Sequence, residues 1–500
     1  AARAFGVREA GRQAGECGDG GHIRYHEPIF KELFMLRWLC VLSVGLLAVQ
    51  VCEAGVDFEA AIAPILSAKC VECHNPKDKS GGLDLTSNAS LLRGGDSGAV
   101  FVPMKPEESP LYQRVEQGEM PPESAGKSHK LPDAEITALK QWIATGAQWP
   151  QDRVLDLYER TNESRAGRDW WTFQSVKRPA VPVVTTTNNR VRTPVDAFIF
   201  DQLKREQLTM APEAGPRAIA RRAYEDLWGL PPTYKQIEEY VNDRSPDAYE
   251  KLIDRLLASP HYGERWGRYW LDVVRYAETC GYERDQLKPG IWKYRDWVIQ
   301  ALNTDMPYDK FVLHQLAGDE IPDRDEQSVI ATGMLRAGTW NDEPNDPSDY
   351  LYERLEDMVD TTSSAFLGLT VKCARCHDHK FDPIQQTDYY RIASFFWAGY
   401  MGQANLGGPS KDELGVDVFG WTDKGPTAEP IRLLIKGERS QPGDVVEPGF
   451  LSAVTELDLA LSPPAEGSRT TQRRLQFAKW ITDVRNPLAA RVMVIHFANC

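Results

Sequence analysis

Residues 70–74 read Cys70-Val71-Glu72-Cys73-His74, and residues 373–377 repeat the arrangement as Cys373-Ala374-Arg375-Cys376-His377. Two thiols separated by two residues, with an imidazole directly after the second, match the spacing at which the vinyl groups of haem form thioether bonds while histidine reaches the iron. A zinc site pooling both Cys pairs and a pair of redox Cys-x-x-Cys motifs are the rivals. Neither explains why histidine follows both pairs, and a pooled zinc site would have to bridge two distant stretches of chain. The expectation is covalent haem c at two places, attached through Cys70 and Cys73 and through Cys373 and Cys376, with His74 and His377 as iron ligands.

The group opposite each histidine decides the chemistry, because a methionine there completes the coordination sphere and favours electron transfer. Met120, in Gly118-Glu119-Met120-Pro121-Pro122, is the candidate for the first haem, with Met104 as its rival. The second pentad has no equivalent. His379 lies only two residues beyond His377, too close to reach the far face of the same iron, and reads as a supporting group or a ligand for something else. His261, then Met334 and Met358, are candidates from elsewhere; an open position, able to take peroxide or another small ligand, fits equally.

Working outward from Cys70, Asp57 can cap a helix carrying Phe58, Ile62, Ile65 and Leu66 at helical spacing, with Pro64 kinking or shortening it. A loop-rich stretch follows, marked by Gly81-Gly82, Gly94-Gly95 and Pro121-Pro122. A second helix then runs from Pro132 and a cap at Asp133 through Ile136, Leu139 and Ile143 to a stop at Gly146. Residues 56–150 thus form a small all-α haem domain, and 151–191 a linker with a Pro/Thr/Asn-rich run at 181–189. Residues 192–400 turn strongly helical, with Tyr249, Leu252, Ile253, Leu256 and Leu257 on one face. Trp266, Trp270, Trp292 and Trp297 read as core packing before cofactor walls. Residues 401–470, rich in Gly, Pro and charge, read as a linker or irregular insert, and 471–500 open a new helix. The fold class expected is mainly α: a small cytochrome c-like domain, a larger mostly helical domain, and an irregular C-terminal linker. Asp319, Glu320, Asp342, Glu343 and Asp346 have no catalytic spacing and read as a solvated acidic face.

Residues 35–54 combine Met35-Leu36-Arg37-Trp38, an apolar run from Leu39 to Val51, and small residues before a cleavage point after Ala54, which is the layout of a secretory signal. Residues 1–34 read as upstream translation, with Met35 the true start. No integral membrane segment is expected after cleavage. Of the six cysteines beyond residue 54, four sit in the two pentads, and Cys280 and Cys500 are no obvious pair. That usage suits a haem carrier better than a disulfide scaffold. The composition, 42% hydrophobic and 26% charged, is that of globular protein, and the length suggests more than one domain. A net charge of −14 argues against nucleic acid and polybasic membrane contacts.

The stretch from Phe58 to Pro150 resembles the planctomycete-type cytochrome c domain. The likeness rests on Ile65-Leu66 leading into Cys70, on Gly81-Gly82-Leu83-Asp84-Leu85, on Leu92 through Gly98, on Met120-Pro121-Pro122, and on Leu139 through Ile143. Residues 192–400 are similar to the domain of unknown function 1549, through Gly229 to Thr233, Leu256 to Trp266, Leu316 to Glu320 and Cys373 to Pro383. Residues 473–495 resemble the opening of the domain of unknown function 1553, which is then cut short after Val494. The resemblance implies an exported bacterial haem protein, in the periplasm or at the cell surface, and leaves open whether it is an enzyme. Three functions follow as expectations. They are dihaem electron transfer with a redox partner protein, a dihaem peroxidase or oxidase with an open second haem, and a surface-binding module with a redox appendage.

Overall fold

The computed structural model describes residues 56–123, 128–184, 190–401 and 406–498. The readings of 1–34 and 35–54, and that of Cys500, lie outside the described residues. The chain divides into two compact units that meet in sequence between Leu157 and Tyr158. The protein is mainly α, with a single two-stranded sheet among the described residues.

In the first unit, Asp57 accepts hydrogen bonds from the amides of Glu59 (2.9 Å) and Ala60 (3.2 Å), starting a wide π-type turn over Phe58–Ile62. Helix α1 (Ala63–Lys69) takes over where Pro64, which has no N–H to donate, sits in the first turn. Short helices α2 (Asn88–Arg93) and α3 (Pro110–Glu116) punctuate the loops, and α4 (Asp133–Ala144) closes the unit. Pro132, one residue before the expected Asp133, occupies the cap position of α4, and Gly146 at φ +94° follows its end. Ile136, Leu139, Trp142 and Ile143 turn inward on α4 against Phe58, Ile62 and Leu66. Burial of each such side chain stabilises the unit by about 1.5–3 kcal/mol. The unit runs past residue 150: Leu155 donates its amide to the Thr86 carbonyl at 2.6 Å, and Val154 bridges Ser87.

The second unit holds α5 (Pro194–Arg205), α6 (Pro216–Trp228), α7 (Tyr234–Asn242), α8 (Ala248–Leu257), α9 (Pro260–Val273), α10 (Trp292–Asn303), α11 (Tyr308–Ala317), α12 (Glu326–Ala331), α13 (Pro347–Leu367) and α14 (Gln386–Ala393). After a one-turn helix, α15 (Lys411–Leu414), come strands β1 (Ile431–Leu434) and β2 (Pro442–Val446), paired antiparallel with Ile431 opposite Val446. Helices α16 (Arg473–Ile481) and α17 (Pro487–Ala498) complete it. On α8, Leu252 and Leu256 are buried while Tyr249 is exposed. Trp270 and Trp297 join the main core, whereas Trp292 is half exposed. The 401–470 stretch lacks helical periodicity, yet Phe419, Trp421, Ile431, Phe450, Leu451 and Leu457 are all core residues. Irregular backbone here carries apolar side chains into the same interior as α13 and α14.

Asp319 and Glu320, expected on a solvated face, have fully buried side chains. They meet Arg474, whose guanidinium is bidentate to Asp319 (2.7 and 2.8 Å), reaches Glu320 at 3.0 Å and Asp423 at 3.2 Å, and bonds the Leu316 carbonyl. The outer oxygens of the carboxylates are also occupied: Leu475 donates its amide to Glu320, and Thr471 donates amide and hydroxyl to Asp423. The expectation fails because two adjacent carboxylates look the same in sequence whether water or a distant arginine solvates them. Asp342, Glu343 and Asp346 do lie near the surface, paired with Arg284 and Arg439.

Candidate functional site

The end of α1 delivers the first pentad. Amides of Cys70 and Val71 both bond the Leu66 carbonyl, and those of Cys73 and His74 bond that of Cys70 at 3.2 and 3.0 Å. This turn puts Cys70, Cys73 and His74 on one side and drives Val71, fully buried, into the core on the other. Asn75 then holds the exit turn, its side-chain amide donating to the Val71 and Glu72 carbonyls while its oxygen accepts from Lys77 and Asp78.

Cys70, Cys73, His74 and Met120 all line one cavity of about 310 Å³, within the usual size range of cofactor pockets. Its remaining wall is mostly apolar, with Leu66, Leu83, Val100, Leu111, Val115 and Leu139 prominent. None of these announces itself in the sequence beyond being apolar. Lys69 and Arg114 are the basic side chains on the lining, and would suit carboxylates such as the propionates of haem. Met120 reaches the cavity because α3 ends in a turn: the amides of Glu119 and Met120 both bond the Arg114 carbonyl. Met104, the rival, is 71% exposed and does not line the cavity.

Burial pushes the His74 imidazole below the ordinary histidine range, with the backbone of Ser80 and Leu83 partly opposing it. The ring is therefore neutral at physiological pH, the form that ligates metal. Its buried Nδ1 has no hydrogen-bond partner among the described residues, a cost that a ligand or a small ring rotation would remove. Burial likewise pushes the Cys70 thiol up to about 12, so it is protonated. A haem fits this donor set: two thiols, a neutral imidazole and a thioether around an apolar hollow. Among the described residues no group of three or more His, Cys, Asp or Glu is placed to hold a bare metal ion.

Glycine loops supply part of the lining, through Gly81, Gly95 and Gly98. The Asp96 amide bonds the Gly81 carbonyl at 2.8 Å, and Gly95 and Gly98 bridge each other. Gly94 sits at φ +77°, ψ −166°, a region essentially closed to other residues, and a Cβ there would lie 2.2 Å from the Gly98 carbonyl oxygen. Gly94→Ala is expected to destabilise the first unit by about 1–3 kcal/mol. An unchanged urea midpoint would show that the loop accepts a side chain.

The second pentad is built differently. Val371 and Ala374 are fully buried anchors of a 3₁₀ turn over Val371–Arg375, while Cys373, Cys376 and His377 are exposed. Gln386 donates to the carbonyls of both Arg375 and Leu434 (2.9 Å each), tying the turn to β1. Cys376 Sγ lies against Gly437, where a Cβ would come within 2.4 Å of it. His377 Nδ1 is 2.7 Å from the Asp378 carbonyl, which can only accept, so Nδ1 is the donor in that bond and Nε2 is the ring nitrogen outside it. His379 is a structural group: its Nδ1 accepts from the amides of Phe381 and Asp382, and its Nε2–H donates to Thr370 Oγ1 at 3.0 Å.

None of the candidate partners from elsewhere meets His377. Met334 and Met358 are wholly buried in the core and could not cover an exposed imidazole without opening it. His261 is paired with Glu264 and packed beside Trp228, on a helix that lies against α6 and α10, whereas the pentad's turn packs on α13 and α14.

The first unit is a small helical domain with one apolar cavity, joined in sequence to a larger helical body. Residues 70–124 match the family described as Planctomycete cytochrome C, and residues 194–399 match the one described as Protein of unknown function (DUF1549). The chain thus carries the two modules in that order. No curated protein and no solved structure matches the chain.

Proposed function

We propose that the chain is an exported c-type cytochrome that transfers electrons to or from a redox partner protein. In this reading Cys70 and Cys73 would hold haem covalently through thioether bonds to its two vinyl groups. A haem held there supplies one-electron exchange at its iron. His74 would hold its iron through a neutral imidazole and Met120 through a thioether, within a mostly apolar lining. The convergence of Cys70, Cys73, His74 and Met120 on one cavity is the observation that carries this reading. The acidic net charge favours a partner with a basic or neutral docking face and disfavours nucleic acid.

The test is pyridine haemochrome quantification, mass spectrometry and visible spectroscopy on protein matured in a host able to attach haem c. The expected result is a covalent mass gain with a low-spin, six-coordinate spectrum for the first haem. Met120→Ala should convert that haem to high spin and lower its potential, with the haem still attached. Absence of both mass gain and Soret absorption would remove the proposal.

We infer a second haem at Cys373 and Cys376, with His377 Nε2 as ligand and its far side open. The exposure of His377, and the burial or engagement of every candidate partner, supports this open position. That open position supports a second reading, a dihaem peroxidase in which the first haem would feed electrons to the second. Cys70→Ala/Cys73→Ala protein should then retain one haem, high spin and able to bind carbon monoxide. Haem-free double-variant protein would sink the second site alone.

A further inference from the structure

We propose that the pocket between α9, α10, α11 and α17 in the larger unit binds a small organic cation of the quaternary or tertiary ammonium class. The pocket holds about 230 Å³, below the range for drug-sized ligands and sufficient for a few heavy atoms. Tyr262, Trp266, Tyr269 and Trp270 recur along α9 at helical spacing and form one aromatic wall; Phe311 of α11 and Met493 of α17 face the same space.

The rings are held in place. Trp270, 7% exposed, donates its indole N–H to Gln315 Oε1 at 2.8 Å and packs edge-on against Phe311 with centroids 5.0 Å apart. Trp266 lies between Tyr262 and Tyr269, with centroids at 6.2 and 5.7 Å. The Tyr269 ring already receives cations from outside the pocket, with the Arg265 and Arg268 guanidinium carbons 4.6 and 5.2 Å from its centroid.

Charge selects the ligand class. Asp272 and Asp305 line the pocket, both are exposed, and neither enters an ion pair among the described residues. No lysine or arginine lines it; His496, the remaining ionisable side chain besides the tyrosines, has Nε2 at 3.1 Å from the Ala365 carbonyl. Burial, and then the nearby Asp305 charge, raise the Tyr262 hydroxyl above its ordinary range, which places that carboxylate's field on the aromatic wall. Two carboxylates repel an anion. A sugar would find rings to stack on but few side chains to satisfy its hydroxyls. An ammonium group with apolar substituents uses both features, the π faces and the carboxylates.

The experiment is calorimetric titration of the full chain with choline and with 3,3-dimethylbutan-1-ol, its uncharged carbon analogue. Choline should bind, and the neutral analogue should bind roughly tenfold or more weakly, the expected worth of a desolvated cation over aromatic rings. Asp305→Asn should weaken choline several-fold without disturbing the fold, because Asp305 is exposed at φ +51°, which asparagine also tolerates. Trp266→Leu should abolish binding with the far-ultraviolet circular dichroism unchanged. Equal binding of the two probes would make the pocket merely apolar and overturn the proposal. Absence of binding by both choline and tetramethylammonium would do the same.

Discussion

Exchange of Arg474 for methionine is expected to destabilise the larger unit by about 3–5 kcal/mol at neutral pH, the usual penalty for removing one side of a buried ion cluster. Methionine keeps much of the length but leaves Asp319, Glu320 and Asp423 without a cation, all with side chains sealed from water. Burial works against the guanidinium's charge, yet the three carboxylates overcome it and hold Arg474 well above its ordinary range. Adding Asp319→Asn to Arg474→Met should restore part of the loss, since it removes one orphaned charge. Urea unfolding followed by tryptophan fluorescence measures both. If the single variant unfolds at the parent's midpoint, the cluster is not holding the unit together.

The second large effect is a dependence on pH. Burial, reinforced by Asp423 and Asp319 and opposed by Arg474, raises the Glu320 carboxyl from 4.5 to about 8. One arginine facing three carboxylates makes this reasonable, because a retained proton reduces the excess negative charge. A carboxyl that binds its proton more tightly in the folded state contributes stability that is complete below pH 4.5. That stability is lost as pH rises through about 8, at up to about 1.4 kcal/mol per pH unit. His74, His314 and His379, all lowered from 6.5 chiefly by burial, act in the opposite sense below that pH. Lys288, lowered to about 8 by burial, opposes it only above that value. Between pH 6.5 and 8, stability should therefore fall with rising pH, and Glu320→Gln should flatten the curve. A parallel decline in parent and variant would assign the slope to another group.

The parts of this protein that are local in sequence are the parts a reader of the sequence can find. The two Cys-x-x-Cys-His pentads are set by adjacent residues, and Met120 stands out because prolines and a glycine frame it. The helices bracketing the first cavity follow from apolar spacing together with the caps, prolines and glycine that bound them. By contrast, the partner of Asp319 and Glu320 comes from α16, more than 150 residues later. Nothing near Leu316-Ala317-Gly318 signals it. The 401–470 stretch misleads for a related reason: Phe419, Trp421 and Phe450 are buried one at a time from irregular backbone, so no period exists to detect. The two pentads, alike on paper, differ in surroundings. One opens on an apolar hollow lined by a methionine, while the other lies at the surface against a glycine turn.

The stacking of Phe477 on Phe395 at 4.5 Å and of Trp480 on Phe450 at 5.4 Å bears on how this molecule can be dissected. A recombinant fragment trimmed at residue 399, where the matched segment ends, would strip the interior of the aromatic rings from α16 and of the arginine that neutralises its acids. Laboratory work on the helical body should therefore begin from a piece reaching from Tyr158 at least through α16, since anything shorter leaves greasy and ionised surface bare together.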